Sequence, residues 1–281
     1  MRSKGLLLRS LWLVLVGLAL PLPAQAGGKE LVVGLSPNQP IRTLLAQHEQ
    51  LAAHLSASLN RPVKLVSAKD NRVFGQRMLT GNYELALAPA HLARLAQRDH
   101  GWHPLVRYES DTAVFLLARK ADVDITPADL KNKVLAVPDR TMLVTLAGER
   151  WLAQQHLLAD SDYTVLVTGG YASSINAVAN GFADMALGAR DAMAQARDED
   201  VRKLKIVKEI AAIPRLVFIA RHDMDAPTRT EMQRALLSYV SPTASRLTAV
   251  GAEDLSAMDV YLPKTQEQLK IMPPIPALAR P

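Results

Sequence analysis

Two stretches of this chain, GNYELALAPAHLA at 81–93 and GFADMALGARDAM at 181–193, follow one pattern at an offset of 100 positions. Each begins with a glycine that can end a helix, passes through an acidic residue, Glu84 or Asp184, and enters a short apolar run. A second helix-like run follows each apolar segment. This repetition of helix end, strand and helix start predicts two lobes of similar α/β design.

The residues around the first copy continue the alternation of strands and helices. Leu31–Leu35, Val63–Val66 and Leu85–Ala88 are short apolar runs, and helix-like segments begin at Ile41 and Asp70. Strands that alternate with helices pair in parallel through right-handed crossovers. The first half therefore predicts a parallel α/β sheet.

The second half repeats this order. Val134–Val137, Tyr163–Val167 and Met185–Leu187 predict strands, with helices opening at Asp139 and at Ser173. A proline-rich tail follows and is expected to wrap the surface.

The chain crosses between the predicted lobes near Tyr108–Asp111 and again near Ile210–Arg215. A few residues at such crossings can absorb a closing motion, so both are predicted hinges. We assign 29–112 and 213–281 to lobe 1, and 113–212 to lobe 2.

Residues 1–26 have the layout of a secretory signal peptide, with three basic residues, an apolar run at Leu11–Leu20 and an A-x-A site at Ala24–Ala26. The apolar run is shorter than the ~20 residues that span a bilayer, although a retained membrane anchor is the alternative. The chain has no cysteine, which excludes an N-terminal lipid anchor, disulfides and thiolate metal sites. We expect a periplasmic protein that is not lipid-anchored.

The formal net charge is +6, and three of these charges lie in the predicted signal peptide. The remaining excess is small and forms no basic run, which argues against a nucleic-acid-binding protein. It is compatible with attraction of a small anion.

Ligands of open α/β sheets bind beyond the carboxyl ends of the strands, where helix N-termini also point. In a two-lobed chain these edges face each other across a cleft. The candidate binding loops are Pro37–Gln39, Ala68–Arg72, Pro89–His91, Tyr108–Asp111, Pro138–Met142, Thr168–Ser174 and Gly188–Asp191.

Several segments resemble the phosphate, phosphite and phosphonate substrate-binding proteins of bacterial ABC importers. They are Val33–Pro37, Ala68–Asp70, Gly81–Leu87, Asp129–Ala136 and Gly170–Leu187, and the resemblance extends from Leu31 to Tyr261. It implies the type 2 periplasmic binding protein fold, with two lobes, each a mostly parallel sheet flanked by helices, and two hinge crossings. It also implies capture of a small ligand, such as a phosphonate-like or phosphate-like oxyanion, for an ABC permease.

The predicted pocket departs from that family. The turn Asp139–Val144 stands where phosphonate-binding members carry a turn rich in serine and threonine, and it keeps only the hydroxyl of Thr141. Asn71 replaces an aromatic residue and Tyr171 replaces a histidine. The resemblance therefore leaves the identity of the ligand open.

We predict an anion between the loops Asp139–Thr141 and Gly169–Ser174 of lobe 2, facing lobe 1. Alternatives remain for individual residues: a solvent-facing Arg140, an exposed first-turn His91, and a local ion pair at Arg190. The predicted ligand-binding residues are Asn38, Asn71, His91, Arg140, Thr141, Gly170, Tyr171, Ser173, Ser174 and Arg190.

Two other functions stay open at this point. The same closing motion could signal to a membrane kinase, cyclase or chemoreceptor, and some enzymes share the fold. The sequence contains no G-x-S-x-G, H-E-x-x-H or Walker motif, so we predict no enzyme activity and no cofactor. The predicted protein is a monomer without a metal site, since His100 and His103 have no further ligands nearby in sequence.

The signal-peptide assignment predicts cleavage after Ala26. N-terminal sequencing of protein recovered from the periplasm should begin at Gly27. A full-length product retained in the membrane would contradict the assignment.

Overall fold

The computed structural model describes residues 29–241, 246–251 and 253–270. The predicted signal peptide and residues 271–281 of the tail lie outside this part of the chain. The strands are β1 (Leu31–Leu35), β2 (Val63–Val66), β3 (Leu85–Pro89), β4 (His103–Tyr108), β5 (Thr112–Arg119), β6 (Val134–Val137), β7 (Thr164–Val167), β8 (Met185–Ala189), β9 (Leu204–Ile213), β10 (Leu216–Ala220) and β11 (Leu247–Ala249). The α-helices are α1 (Ile41–Leu59), α2 (Asn71–Leu79), α3 (Ala90–His100), α4 (Leu143–Gln154), α5 (Tyr171–Ala179), α6 (Arg190–Met193), α7 (Asp198–Arg202), α8 (Ala226–Leu237) and α9 (Leu262–Lys270). Two 3₁₀ helices span Pro127–Leu130 and Ser256–Tyr261.

The strands form two sheets, each flanked by helices, and we refer to each sheet with its helices as a lobe. Lobe 1 has the strand order β11-β4-β10-β3-β1-β2, and lobe 2 has the order β7-β6-β8-β5-β9. The predicted α/β fold with two lobes is confirmed. The predicted parallel pairing is also confirmed for β1 with β2 and β3, and for β6 with β7 and β8.

Both sheets are nevertheless mixed rather than mostly parallel. In lobe 1, β10 lies between β3 and β4 and runs antiparallel to both. In lobe 2, β5 lies in the same way between β8 and β9. The reason is that β5 and β10 enter their sheets directly from the other lobe, without the helical crossover that parallel neighbours require.

The glycines of the repeated stretches have the same conformation. Gly81 and Gly181 each have a φ of +78°, in the left-handed region that favours glycine. The N–H of Gly81 donates to the carbonyl of Met78 at 2.9 Å, and the N–H of Gly181 donates to that of Val178 at 3.1 Å. Each glycine therefore ends the helix before the third strand of its lobe in the same way.

The acidic residues of the two stretches are equivalent as well. The carboxylate of Glu84 accepts from the N–H of Val32 in β1 at 3.4 Å, and that of Asp184 accepts from the N–H of Val134 in β6 at 2.9 Å. In return, the N–H groups of the two acidic residues donate to the carbonyls of the same valines at 3.0 and 2.9 Å. The predicted equivalence of Glu84 and Asp184 is thus confirmed.

One apolar cluster continues from lobe 1 into lobe 2. It contains Phe74 and Ala90 of lobe 1 together with Leu143, Val144 and Ala189 of lobe 2, all of them buried. Removing this surface from water favours contact between the lobes. The structure therefore presents the lobes closed on each other.

Several elements differ from their prediction. The helix expected to open at Asp139 begins at Leu143, and the helix expected at Ser173 begins at Tyr171. Strands β4 and β11 were not predicted. The proline-rich tail, expected only to wrap the surface, includes α9 with Pro263 as its second residue. Proline is tolerated there because the N–H groups of the first helical turn have no partner within the helix.

Glu84 and Asp184 occupy equivalent positions, so we expect Glu84→Ala and Asp184→Ala to lower the free energy of unfolding in the same way. Each change leaves the first strand of a lobe with an unpaired N–H group, at a cost of about 1–3 kcal/mol. Chemical denaturation should detect both losses. Glu84→Gln and Asp184→Asn keep an acceptor oxygen and are the controls, and an alanine variant as stable as its amide counterpart would contradict the shared role.

Candidate ligand-binding site

A cavity of about 670 Å³ lies between the lobes, at the carboxyl ends of the parallel strands. Six of the seven predicted binding loops contribute to its wall, the exception being Ala68–Arg72. The residues from those loops that line it are Asn38, Gln39, Pro89, Tyr108, Met142, Tyr171 and Ala189.

The first turns of α4 and α5 both face this cavity. Met142, Leu143 and Val144 line it from the start of α4, and Tyr171 lines it from the start of α5. Among the described residues, the N–H groups of Leu143 and Val144 have no acceptor, as expected for a first helical turn. The predicted convergence of these two helix starts on the cleft is present in the structure.

The loop before α4 is arranged differently from the prediction. Asp139 Oδ1 accepts hydrogen bonds from the N–H of Thr141 at 2.7 Å and from its Oγ1 at 2.6 Å. Both donors of Thr141 are therefore used within the loop. This local turn replaces the expected helix start, because an aspartate two residues before a threonine competes for its donors.

Arg140 lies outside the cavity wall. Its guanidinium donates to Asp160 Oδ1 at 2.6 Å, and this bond is the main reason why the pKa of Arg140 is raised. The contact between Arg140 and an anion that we predicted from the sequence is not supported by this geometry. Asp160 lies 20 residues further along the chain, so the pair depends on the tertiary fold.

His91 connects the two lobes. It is fully buried, and its Nε2 donates to the carbonyl of Thr141 at 3.0 Å. Burial lowers the pKa of His91 to about 4, so the ring is neutral near pH 7. The alternative of an exposed first-turn histidine is wrong, because α3 presents this residue to lobe 2 rather than to solvent.

The other predicted residues divide between the cavity and its supports. Asn38 and Tyr171 line the cavity. Asn71 is buried and accepts a hydrogen bond at 2.7 Å from Ser36, which itself lines the cavity. Asn71 therefore holds the turn after β1 in place. The hydroxyl of Ser174 bonds that of Thr168 at 2.7 Å, inside the loop.

The remaining three predicted residues lie apart from the wall. Gly170 is the N-cap of α5, and a Cβ at this position would meet no atom within 4 Å. Ser173 is exposed. Arg190 is exposed too, with its guanidinium carbon 5.4 Å from the ring centre of Phe115. The structure does not bring these three to the cavity.

Sequence reasoning missed several residues of the cavity wall. Arg215 lines it, and its guanidinium carbon lies 4.8 Å from the ring centre of Tyr108. His48 lines it from α1, with Nδ1 donating to the carbonyl of Leu44 at 2.8 Å, and burial lowers its pKa. Arg215 and Tyr108 both lie in the predicted hinge segments. The position of a cation within such a segment is the signal by which Arg215 could have been predicted.

The described part of the cavity wall contains no aspartate or glutamate. Across the described ranges, no group of three or more histidine, aspartate or glutamate residues is placed to hold a metal ion. No helix in those ranges is long and apolar enough to cross a membrane.

The sequence matches a family described as the periplasmic substrate-binding protein of phosphonate ABC transporters, over residues 33–260. The chain belongs to this family, whose members bind substrates for transporters and are not enzymes. The family works in the periplasm together with an ABC permease. A comparison with curated proteins finds none that matches the sequence.

Solved structures share the fold at low sequence identity. The binding protein of an ABC phosphonate transporter from Pseudomonas aeruginosa has a TM-score of 0.73 at 15% identity, covering 86% of this chain and 89% of its own. PhnD1 from Prochlorococcus marinus, in complex with methylphosphonate, has a TM-score of 0.74 at 14% identity, covering 85% and 99%. A Xanthomonas citri protein bound to ATP has a TM-score of 0.69 at 16% identity, covering 86% and 99%.

Because His91 is buried in its neutral form, we expect the free energy of unfolding of the protein with closed lobes to depend on pH. The pKa of His91 is lower in the folded protein than its usual value of ~6.5. The contribution of the neutral ring to the free energy of unfolding is therefore complete above pH ~6.5. That stability is lost as the pH falls toward about 4. The loss amounts to about 3 kcal/mol at ~1.4 kcal/mol per pKa unit.

His91→Gln keeps a donor for Thr141 and removes the titration, so its unfolding free energy should fall less between pH 7 and pH 4 than that of the wild type. Denaturation across this range measures the difference. His222→Gln, at an exposed histidine, is the control. Equal pH slopes for the wild type and His91→Gln would rule out this role.

Proposed function

We propose that this substrate-binding protein captures a small oxyanion in the cavity between the lobes and delivers it, as a monomer, to a membrane permease. In this proposal the domain boundaries are 29–112 with 213–281, and 113–212, so that they fall at the terminal residues of β5 and β9, Thr112 and Ile213. The observation that carries it is that the first turns of α4 and α5 both line one cavity. Unpaired N–H groups and the positive end of the helix dipole favour a negative charge at such positions.

The charges of the wall support the same choice. Arg215 brings a guanidinium to the cavity, and no carboxylate in the described wall opposes an anion. Among the carboxylates of the predicted binding loops, that of Asp139 is occupied by Thr141. In this proposal the cation that attracts the ligand is Arg215, in place of Arg140.

The hinge and the contact between the lobes suggest how binding is communicated. Thr112 and Ile213 are paired strand residues at the two crossings, and both line the cavity. A ligand bound beside them adds contacts to both lobes and favours the closed form, together with the His91–Thr141 bond. The permease then distinguishes closed from open lobes.

Thermal unfolding with candidate ligands tests the class of ligand. Phosphate, sulfate and methylphosphonate, the ligand of the Prochlorococcus structure, are compared with arginine and putrescine. We expect stabilisation by oxyanions only, of about 2.7 kcal/mol at one hundred times the dissociation constant. Stabilisation by the cations alone would overturn the proposal.

Leu143→Pro tests the helix N-terminus directly. It removes the first N–H of α4 at the helical position where proline is best tolerated, and the extended backbone of Met142 is compatible with a following proline. Affinity for the oxyanion, measured by calorimetric titration, should fall by about 1.5–3 kcal/mol. Leu143→Val keeps the N–H with a side chain of similar size, and equal losses in both variants would contradict the role of the N–H.

A further inference from the structure

The cavity between the lobes is larger than a simple oxyanion needs. Its volume of about 670 Å³ lies in the ~300–1,000 Å³ range of sites that enclose drug-sized ligands. At ~30 Å³ for each water molecule, it has room for about twenty waters. A methylphosphonate ion would leave most of this space to solvent. A ligand that fills the cavity has an organic body attached to its anionic head.

Two buried polar atoms of the wall lack hydrogen-bond partners among the described residues. They are Oδ1 of Asn38, in the turn after β1, and Oγ1 of Thr112, at the start of β5. The amide oxygen of Asn38 is an acceptor and needs a donor, which a fully ionised oxyanion does not provide. Because a hydroxyl group both donates and accepts, hydroxyl groups on the ligand body satisfy both atoms.

The wall also limits the charge of that body. An ammonium group enclosed here has no carboxylate to pair with in the described wall, and it shares the cavity with Arg215. Burying a charge without a partner is strongly unfavourable. Other polar side chains of the wall are neutral, among them Gln39 and His48, whose pKa is lowered by burial. The described wall therefore favours an uncharged body for the ligand.

We propose that the ligand is a hydroxylated organic oxyanion without an ammonium group. Its anionic head binds at the first turns of α4 and α5, and its hydroxyl-bearing body lies against Asn38 and Thr112. This inference rests on the proposed function, since it uses the same cavity and the same anion site. It goes further by naming the chemistry of the body and by excluding aminoalkyl ligands.

Calorimetric titration with matched ligands tests the inference. The probes are methylphosphonate, 2-hydroxyethylphosphonate, 2-aminoethylphosphonate and glycerol 3-phosphate. We expect the hydroxylated probes to bind at least about tenfold more tightly than methylphosphonate and 2-aminoethylphosphonate, because they pair the buried atoms of the wall. If methylphosphonate or 2-aminoethylphosphonate binds as tightly as the hydroxylated probes, the inference fails and the proposed function stands. If no oxyanion binds, both fail.

Two variants test which residues of the wall distinguish hydroxylated ligands from the other probes. Asn38→Asp adds a carboxylate of nearly the same shape and should shift preference toward 2-aminoethylphosphonate by at least about tenfold. Gln154→Glu adds the same charge at the exposed end of α4 and should leave the preference unchanged. Thr112→Val removes the hydroxyl and should weaken binding of 2-hydroxyethylphosphonate while sparing methylphosphonate. An unchanged preference in both Asn38→Asp and Thr112→Val would overturn the placement of the body.

Discussion

The two passages of the chain between the lobes lie side by side, and the remaining geometry depends on this. Thr112 is opposite Ile213 in the sheet of lobe 2, and Arg107 is opposite Val217 in the sheet of lobe 1. Relative motion of the lobes is therefore concentrated in one short double strand. The cavity begins directly beside it, since Thr112 and Ile213 belong to its wall. A small bend at this point changes the width of the whole cleft.

Closing the lobes buries polar groups, and only some of these groups have hydrogen-bond partners among the described residues. His91 is taken into the interior in its neutral form and bonds the carbonyl of Thr141. Asp139 satisfies both donors of Thr141. The first N–H groups of α4 and the side-chain oxygen of Asn38 are left without acceptors or donors among the described residues. Buried polar groups are costly when unpaired, so these positions favour a ligand that pairs them.

The sequence predicted the layout of the site better than its contacts. The binding loops followed from one rule, that carboxyl ends of parallel strands share an edge, and most of them reach the cavity. The equivalence of Glu84 and Asp184 followed from spacing alone. Arg140 was misplaced because its partner, Asp160, is brought near only by the folding of lobe 2.

Other features carried too little local information to be predicted. Strand β4 has only two buried residues among its six, so its apolar pattern is weak. The burial of His91 depends on the docking of lobe 2 against α3, which no spacing within α3 encodes. The roles of residues at the contact between the lobes therefore could not be predicted from the spacing of residues in the sequence.

The position of β10 has a consequence for the order in which the chain can fold during synthesis. β10 lies between β3 and β4, yet it follows all of lobe 2 in the sequence. The strands of lobe 2, in contrast, come from one uninterrupted segment. Lobe 2 can acquire its complete sheet from a nascent chain that ends soon after Ile213, while the sheet of lobe 1 still has a gap at its centre. During synthesis, which begins at the N-terminus, lobe 2 can therefore complete its sheet first. The sheet of lobe 1 is completed only after β10 has been synthesised.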